Sequence, residues 1–545
     1  MIIDRVRALF GRASASPPPP ARPAGSSAGS SARAPARAQW GRDTPSGILA
    51  ARRRPLVDSR DDIRRQWDRL ASVALDLIQN SGRLKGASDQ VCADTIGTGL
   101  KLSARPDLTG LGWSEKEVSD WVRLVEAEWK RYAENPDEVD FRGKFDLATL
   151  ADVALRHNMA FGEAIGVVDH FDPATCRSYG IETGTKLLLV SPHRLVRETD
   201  EHRGLHSGVF HDGNGRPTAY RFKVRAGGVE ETRDRPARDA DNRTLVIHAF
   251  EPWDGADVRG VSVLASALRT QAMAETLGDA TLSTAILQTV LAVTLTSPEP
   301  SAEAFDAIER LEEMDQGLKT EFLGLFGARL DQAKASGIAI DGEPQVSHLA
   351  PGEKLEIHTA ETPSSTYLPF SADLRRELAR AIGVTYESLS MDQSDATYSS
   401  VRMGTSSIWP VVLRRRRRIA APLYQGVYES WLDEKVATGR IPFKGGHRAF
   451  AANRARATWA EWQGPAKPTA DDAKSAKAAS ERLANGTTTI EYECAEMGLD
   501  YREVIEQRAR ELALIADAGL PNPFRRVQGG GGGDDDPKPN GDRDG

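Results

Sequence analysis

The sequence predicts an α+β protein that is mainly helical. Apolar residues recur every three or four positions through residues 118–132, which is the period of an amphipathic helix. Short apolar runs separated by turn residues fill residues 164–250 and indicate strands. A polar loop at residues 391–400 precedes a long segment with partly helical spacing of its apolar residues. The chain therefore combines helical blocks with one strand-rich region.

The composition is that of a soluble globular protein. Of 545 residues, 40% are hydrophobic and 27% are charged, and the formal net charge is −7 at pH 7. This length gives room for about three domains or for one elongated subunit. A protein whose main task is tight binding of duplex DNA would normally carry a basic domain. An acidic chain is compatible with a protein that lets DNA slide past, because carboxylates make no firm contacts with phosphates.

Cysteines and hydropathy narrow the class further. Cys92, Cys176 and Cys494 lie far apart without a C-x-x-C pair, so we expect no disulfide framework and no zinc ribbon, which fits a reducing compartment. Residues 1–12 lack the apolar core of a signal peptide. The longest uncharged run, residues 280–298, contains several threonines and serines and is too polar for a membrane span. We therefore expect no membrane association.

The first 58 residues predict a disordered basic arm. Residues 14–47 are dominated by Pro, Ala, Ser and Arg and cannot bury enough apolar surface to offset the entropy of ordering. Arg52–Arg54 add to the positive charge. Two interpretations stay open for this arm: it contacts a partner or DNA, or it is a solubilising tail.

Helices are predicted from residue 59 onward. Apolar residues mark one face between residues 63 and 78, and Asn80-Ser81-Gly82 ends this helix. Ser114 and Glu117 form a capping-box pattern at the start of another helix. A further helix is predicted over residues 147–161.

Strands are predicted between residues 164 and 250. Lys186–Val190 and Leu245–Ala249 are short apolar runs, and the turn Asp212–Gly215 indicates a hairpin. The highly charged stretch Glu230–Asp241 is predicted to be an exposed loop.

Four histidines in this region raise the hypothesis of a metal site. His193, His202, His206 and His211 are close in sequence, but arginine follows His202, so the H-E-x-x-H pattern is absent. Gly204 also weakens a helix between His202 and His206. We predict no metal ion.

Helical patterns return after the strands. They cover residues 262–287, residues 302–325, which are charged, and residues 374–382, with a short strand around residues 354–357. The polar loop and a long helix follow.

Five consecutive arginines interrupt this long helix, namely Arg414, Arg415, Arg416, Arg417 and Arg418. At about 100° per residue they point in every direction around the helix, so they cannot all face solvent if the helix packs against anything. We predict that at least two pair with carboxylates of the same chain or of a neighbouring copy, because a buried unpaired charge is costly.

Several ordered segments resemble one known family. G-V-T-Y-E-S-L-S (Gly383–Ser390), D-Q-S-D-A-T-Y-S-S-V-R (Asp392–Arg402) and P-L-Y-Q-G-V-Y-E-S-W-L (Pro422–Leu432) resemble the portal proteins of lambda-type tailed bacteriophages. The resemblance continues in V-I-H-A-F-E-P (Val246–Pro252) and in residues 486–511, so it covers about residues 59–511. It implies a portal-type subunit that assembles as a ring.

The resemblance also implies a division of the chain into parts. The first part after the arm is the N-terminal helical part of the wing, residues 59–145. Residues 146–290 would be stem helices flanking a strand-rich clip at about 164–250, and residues 291–390 the α/β part of the wing. The remaining parts would be the tunnel loop 391–400, the long helix and C-terminal crown 401–515, and a flexible acidic Gly-rich tail 516–545.

The tunnel loop is the candidate site. The resemblance implies that it lines the narrowest part of a DNA channel, with Asp392, Gln393, Ser394, Asp395, Thr397 and Tyr398 as its polar residues. It lacks lysine and arginine, so its carboxylates would repel phosphates and guide the duplex without gripping it. The alternative is that the loop only connects two helices away from the ring axis.

The function implied is structural. The ring, expected to be a homo-dodecamer, would stand at a unique capsid vertex of the virion, and double-stranded DNA would be packaged and ejected through it without sequence specificity. Expected partners are further copies of the chain, the terminase large subunit, a head–tail connector or adaptor, and the major capsid or scaffolding protein. Assembly would occur in the bacterial host cytoplasm, and no cofactor is expected.

A DNA-acting enzyme is the competing hypothesis. The chain has no G-x-x-x-x-G-K-[ST] motif for ATP and no recognisable Ser-His-Asp context, so we predict no enzymatic activity. A nuclease with an unrecognised carboxylate site is the alternative that the sequence leaves open.

Overall fold

The computed structural model of the chain describes residues 57–289, 293–296, 354–357, 366–394, 396–468 and 472–522. Residues 1–56 of the predicted arm, the predicted helix at residues 302–325, Asp395 and the tail beyond residue 522 lie outside the described residues. The helices of the N-terminal half are α1 (Ser59–Asn80), α2 (Gly82–Thr95), α3 (Glu115–Glu134), α4 (Pro136–Val139), α5 (Leu147–Phe161), α6 (Pro173–Tyr179) and α7 (Leu268–Thr289). Those of the C-terminal half are α8 (Tyr367–Ile382), α9 (Tyr386–Ser390), α10 (Tyr398–Arg415), α11 (Ala421–Ala437), α12 (Gly446–Ala452), α13 (Arg454–Ala457), α14 (Asp472–Ala484), α15 (Ile490–Glu496) and α16 (Tyr501–Asp517).

The strands form small antiparallel sheets. They are β1 (Lys101–Ala104), β2 (Glu163–His170), β3 (Thr185–Val190), β4 (Leu205–His206), β5 (Val209–His211), β6 (Pro217–Ala226), β7 (Val229–Pro236), β8 (Val246–Phe250), β9 (Val293–Thr296), β10 (Lys354–Ile357) and β11 (Ala460–Gln463). Their orders are β3-β2-β8, β4-β5-β6-β7, β1-β11 and β9-β10. The protein is thus mainly helical with small sheets, which confirms the predicted α+β class.

The chain divides into two compact units. The first contains residues up to 268 and residues from 375 onward, and the second contains residues 269–374. In the second unit, β9 and β10 pair in antiparallel register, with Lys354 opposite Thr296 and Ile357 opposite Val293.

Local sequence signals fix several helix ends in the first unit. Ser114 accepts a hydrogen bond from the Glu117 backbone N–H, and the Glu117 side chain accepts one from the Ser114 backbone, so the predicted capping box is confirmed. Asp146 caps α5 by accepting from the Thr149 backbone N–H, and α5 ends at Gly162, whose φ of 85° favours glycine.

Helix α11 lies at the centre of the main core. Tyr424, Tyr428 and Trp431 are almost completely buried. Trp129 of α3 meets Tyr428 and Trp431 edge-on, with ring centroids 5.3 Å apart in both pairs. The helix also packs on β2, β3, β8 and β11. Since buried aromatic side chains contribute large apolar areas, this cluster joins helices and strands from distant parts of the sequence.

Close packing of α11 on its sheet requires glycines at the contact. A Cβ atom on Gly426 would lie 2.5 Å from Ile247 Cδ1, and one on Gly166 would lie 2.7 Å from Leu423 Cδ1. Larger residues at these two positions would separate the helix from the sheet, because a core packed to crystal density has no space for them.

The predicted loop over residues 230–241 is wrong in its first half, where the chain forms β7. This strand pairs with β6 along its whole length. The two glycines between the strands, Gly227 and Gly228, have φ values of 59° and 88°, as a two-residue hairpin turn requires. Arg221 of β6 donates from Nε to Asp234 Oδ1 of β7 at 2.7 Å. The charges that suggested a loop thus lie on an exposed strand, where Glu230 and Asp234 stand opposite Arg225 and Arg221 of β6.

A buried ion pair fixes the start of β2. Arg259 Nε donates to both carboxylate oxygens of Glu163 at 2.9 Å, and His248 Nε2 lies 3.1 Å from Glu163 Oε2. The Gly260 backbone N–H donates to Glu163 at 3.1 Å, and the Arg259 guanidinium stacks 4.5 Å from the ring centroid of Trp67. Burial would raise the pKa of Glu163, but the charge of Arg259 and the hydrogen bond with His248 outweigh it and hold that pKa at about 2.

We expect Arg259→Met to lower the free energy of unfolding by about 3–5 kcal/mol at pH 7, because it leaves the Glu163 carboxylate buried without its cation. In the wild type, Glu163 contributes stability that is complete above its unfolded pKa, about 4.3, and is lost as the pH falls toward 2. The difference between wild type and variant should therefore narrow below pH 4. Urea unfolding at pH 7 and at pH 3.5 measures this.

The matched control is Arg131→Met. Arg131 is 77% exposed and pairs with Glu128 on the surface of α3, so its loss should change the unfolding free energy by less than about 0.5 kcal/mol. Equal stability of the two variants at pH 7 would show that the Glu163–Arg259 pair is dispensable.

Candidate functional site: the polar loop and the arginine run

The polar loop connects two well-anchored helices. Helix α9 packs on α2 and places Leu389 in the main core. Met391 then adopts a left-handed conformation, with φ of 54°, and ends the helix. Thr397 caps α10 by accepting from the Ser400 backbone N–H at 3.2 Å. The loop is therefore held at both ends, which limits how far its tip can move.

Asp392 organises the tip of the loop. Its Oδ1 accepts from the backbone N–H of Ser394 at 3.1 Å and from the hydroxyl of Ser394 at 2.6 Å. These hydrogen bonds hold the pKa of Asp392 below its usual range, so the carboxylate is charged at neutral pH. Asp392, Gln393 and Ser394 are all exposed. The described part of the loop thus presents a negative, hydroxyl-rich surface.

The arginine run falls where α10 passes into α11. A π-helical turn at Arg416–Ala420 connects the two helices. Arg415 and Arg416 point inward and are buried, whereas Arg414, Arg417 and Arg418 are exposed. The expectation that the five arginines point in different directions is confirmed.

The two buried arginines cap the ends of other helices. Arg415 Nη2 donates to the carbonyl of Ile382, the last residue of α8, at 2.7 Å. Arg416 donates from Nε to the carbonyl of Thr95 at 2.9 Å and from Nη2 to that of Asp94 at 3.1 Å, at the end of α2. The last carbonyls of a helix have no intrahelical partner and carry partial negative charge, so a guanidinium is a favourable partner for them.

The partners of the run match the expected kind at Arg414 and differ from it at the two buried arginines. Arg414 Nε lies 3.2 Å from Glu251 Oε1 and forms an ion pair within the chain. In the described part of the chain, backbone carbonyls take the place of carboxylates at Arg415 and Arg416, and no carboxylate pairs with Arg417 or Arg418. Burial lowers the pKa of Arg416 to about 10, which leaves it charged at pH 7. Carboxylate partners from a neighbouring copy stay a prediction.

The residues that sequence reasoning missed lie outside the run. Glu251 follows β8, and Gly464 leaves space for Arg416, since a Cβ there would overlap the guanidinium. Within the described ranges, no group of three His, Cys, Asp or Glu residues is arranged to hold a metal ion. Nor does any described helix combine the length and the hydropathy that crossing a bilayer needs.

Replacing Arg416 with methionine should lower the free energy of unfolding by about 1.5–3 kcal/mol, because the carbonyls at the end of α2 lose a charged donor. Arg417→Met is the control: Arg417 is exposed, so we expect a change within about 0.5 kcal/mol. Urea titration of both variants at neutral pH measures the difference. If both variants unfold at the wild-type urea concentration, the capping by Arg416 contributes nothing to stability.

The chain is similar in sequence to known proteins. A family model described as phage portal protein, lambda family, matches residues 46–416. The chain is 28% identical over 460 residues to portal protein B of Escherichia phage lambda, which covers 82% of this chain and 84% of that protein. It is 27% identical over 460 residues to the portal protein of Escherichia phage N15, with the same coverage.

Solved structures give more distant matches. A chain from the neck of an empty gene transfer agent particle aligns with a TM-score of 0.38 and 15% identity, covering 66% of this chain and 82% of that chain. An HK97 family phage portal protein from Corynebacterium diphtheriae aligns with a TM-score of 0.29 and 12% identity, covering 66% of this chain and 89% of that chain. The family match extends over the polar loop and the first arginines of the run. The chain therefore belongs to the lambda family of phage portal proteins and has a structural role at the capsid vertex.

Proposed function

We propose that copies of this chain close into a ring at the capsid vertex, and that double-stranded DNA is packaged and ejected through its centre. The single observation that carries the proposal is the lambda-family portal match, which spans residues 46–416. Identical subunits that contact each other head to tail close into a ring when the rotation between neighbours divides a full turn. We propose a dodecamer. Images of the purified protein viewed along the symmetry axis test this, and a monomer at every salt concentration would contradict it.

The partners that we propose follow from the same role. The ring would dock the terminase large subunit during packaging and a head–tail connector afterwards, and it would contact the major capsid or scaffolding protein. The protein is a virion component by family, and we propose that it assembles in the host cytoplasm. A nuclease function has no observation in its favour beyond the many carboxylates. A cleavage assay with Mg²⁺ or Mn²⁺ on duplex DNA separates the two functions.

We propose that the polar loop faces the channel. The support is its charge: Asp392 is exposed and ionised, and the loop from residue 391 to residue 397 has no cationic residue. Carboxylates that face phosphates disfavour tight contacts, so the loop would guide the duplex and would hinder its backward movement only sterically. Asp395, Thr397 and Tyr398 belong to the same proposal.

The domain assignment made from the sequence stays a prediction, and the division of the chain into two units suggests a second version. The first places the clip at about residues 164–250, where β7 is exposed along its whole length. The second places it within residues 269–374. One observation favours the second: β2 and β8 share the core with α11, whereas residues 269–374 form a separate unit. Reversing the charges of Glu230 and Glu231 on the ribbon decides between them. Weaker docking of terminase supports the first version, and unchanged docking supports the second.

Asp392→Lys should leave the rings intact and slow the passage of DNA. Every subunit would add a cation where the wild type has an anion, and lysine ammonium groups hold phosphates by ion pairing. Because such contacts are screened, the packaging rate should recover as salt rises. Packaging rate and DNA retention, measured at low and high salt, test the prediction.

The control for this variant is Asp120→Lys on the exposed face of α3, which makes the same charge change away from the loop. Its packaging rate should match that of the wild type. If Asp392→Lys also packages and retains DNA like the wild type at low salt, the loop does not line the channel.

A further inference from the structure

A basic cleft lies on the first unit beside the arginine run. It has a volume of about 1060 Å³ and is bordered by the start of α1, the segment after β8, the end of α8 and the end of α10. Its charged residues are Arg380, Arg414, Arg415, Arg418, Asp62 and Glu251. Four cations against two carboxylates leave the cleft with an excess of positive charge, on a chain whose net charge is −7.

One arginine of the cleft, Arg415, has a donor group without a hydrogen-bond acceptor. The residue is only 5% exposed and uses Nη2 to bind Ile382, whereas Nη1 is buried and has no hydrogen-bond partner. A buried donor without a partner costs about 1–3 kcal/mol, more when the group is charged. Such a group in a native protein calls for an explanation, and an acceptor supplied from outside the described chain is one.

The other arginines of the cleft are available to the same acceptor. Glu251 is engaged by Arg414, at 3.2 Å from Arg414 Nε. Arg380 and Arg418 are exposed, and no carboxylate in the described part of the chain pairs with either of them. Guanidinium groups that surround a common space are suited to one carboxylate or phosphate, since each presents donors in a planar fork.

The rest of the lining distinguishes between these two anions. Apolar side chains, among them Ile408 and Val411, line the cleft together with the arginines, and Trp253 at its edge is 85% exposed. A phosphate on DNA needs no apolar surface, whereas a protein segment with one acidic and one apolar side chain would use both. Exposed tryptophan is typical of protein interfaces.

The geometry points to this cleft as the receptor for an acidic side chain of the neighbouring copy in the ring. Its carboxylate would be bound by Arg380, Arg415 and Arg418, and an apolar residue beside it would cover Trp253. The inference rests on the proposed ring and adds to it the contact that one subunit offers to the next. A head-to-tail interface of this kind needs a concave basic surface on one side and an acidic projection on the other.

Zero-length cross-linking can find the acidic residue. Arg418→Lys keeps the charge and provides an amine that carbodiimide joins only to a carboxylate in direct contact. Rings assembled from equal amounts of isotopically light and heavy copies then show, by mass spectrometry, whether Lys and carboxylate come from different copies. We expect a cross-link between copies that is absent from wild-type rings. The control is Arg417→Lys, since Arg417 belongs to the same run but does not line the cleft; it should give no such cross-link.

Charge reversal gives the functional readout. Arg380→Glu and Arg418→Glu should raise the protomer concentration needed for ring formation more than about tenfold, whereas Arg417→Glu should leave it near the wild-type value. Sedimentation over a dilution series measures this. Melting of the separate monomers shows whether each variant is folded.

The outcomes separate this inference from the proposed function. If wild-type protein forms no rings, the proposed function fails. If it forms rings but Arg418→Lys cross-links only within one copy, and the two reversals assemble like the wild type, the cleft is not an interface and the inference is overturned. It is also overturned if the reversals leave assembly unchanged and instead weaken binding of a short DNA duplex, because the cleft would then bind phosphate.

Discussion

The burial of the α11 aromatic residues against Trp129 is the contact on which the rest of the first unit depends. Tyr428 and Trp431 have no measurable exposure, and both meet Trp129 edge-on. Trp462 joins the same cluster from β11, 5.6 Å from Trp129. The direction of α11 is set by this cluster, and the direction of α11 in turn fixes where the arginine turn, the polar loop and the basic cleft stand.

Around this cluster, several buried charges meet opposite charges or partial charges. Glu163 is surrounded by Arg259, His248 and a backbone N–H. Arg415 and Arg416 are placed at the ends of α8 and α2, where free carbonyls accept from them. Arg415 Nη1 is buried without a hydrogen-bond partner, and within the described residues the same is true of single side-chain atoms of Arg105, Asp140, Asp152 and Asp257. Arg415 differs from these residues because it lines a cleft with an excess of cations, and this position carries the inference about the neighbouring subunit.

Much of the fold follows from short-range patterns, which is why it could be predicted. The capping box at Ser114 depends on residues within one helical turn. The helix that starts at Ser59 is indicated by the regular spacing of its apolar residues. The sequence does not predict strand β7 because its high charge is typical of a loop, although Gly227-Gly228 is a hairpin signal. The helix-end partners of Arg415 and Arg416 could not be predicted, since Arg416 and Thr95 are 321 residues apart and only the tertiary fold brings them together. The pair of Glu163 and Arg259 could not be predicted either, because only the tertiary fold brings these residues together. The channel role of the loop depends on an assembly that one chain does not contain.

The π-helical turn at Arg416–Ala420 fixes the length of a run whose members are chemically identical. A π-helical turn holds one residue more than an α-helical turn at the same place. Because the turn absorbs this extra residue, α10 and α11 keep their relative orientation, whereas a gain or loss of one residue that the turn did not absorb would rotate α10 by about 100° relative to α11. Such a rotation would exchange inward and outward arginines and turn the polar loop away from its place. The structure therefore constrains the number of arginines in this run as well as their charge.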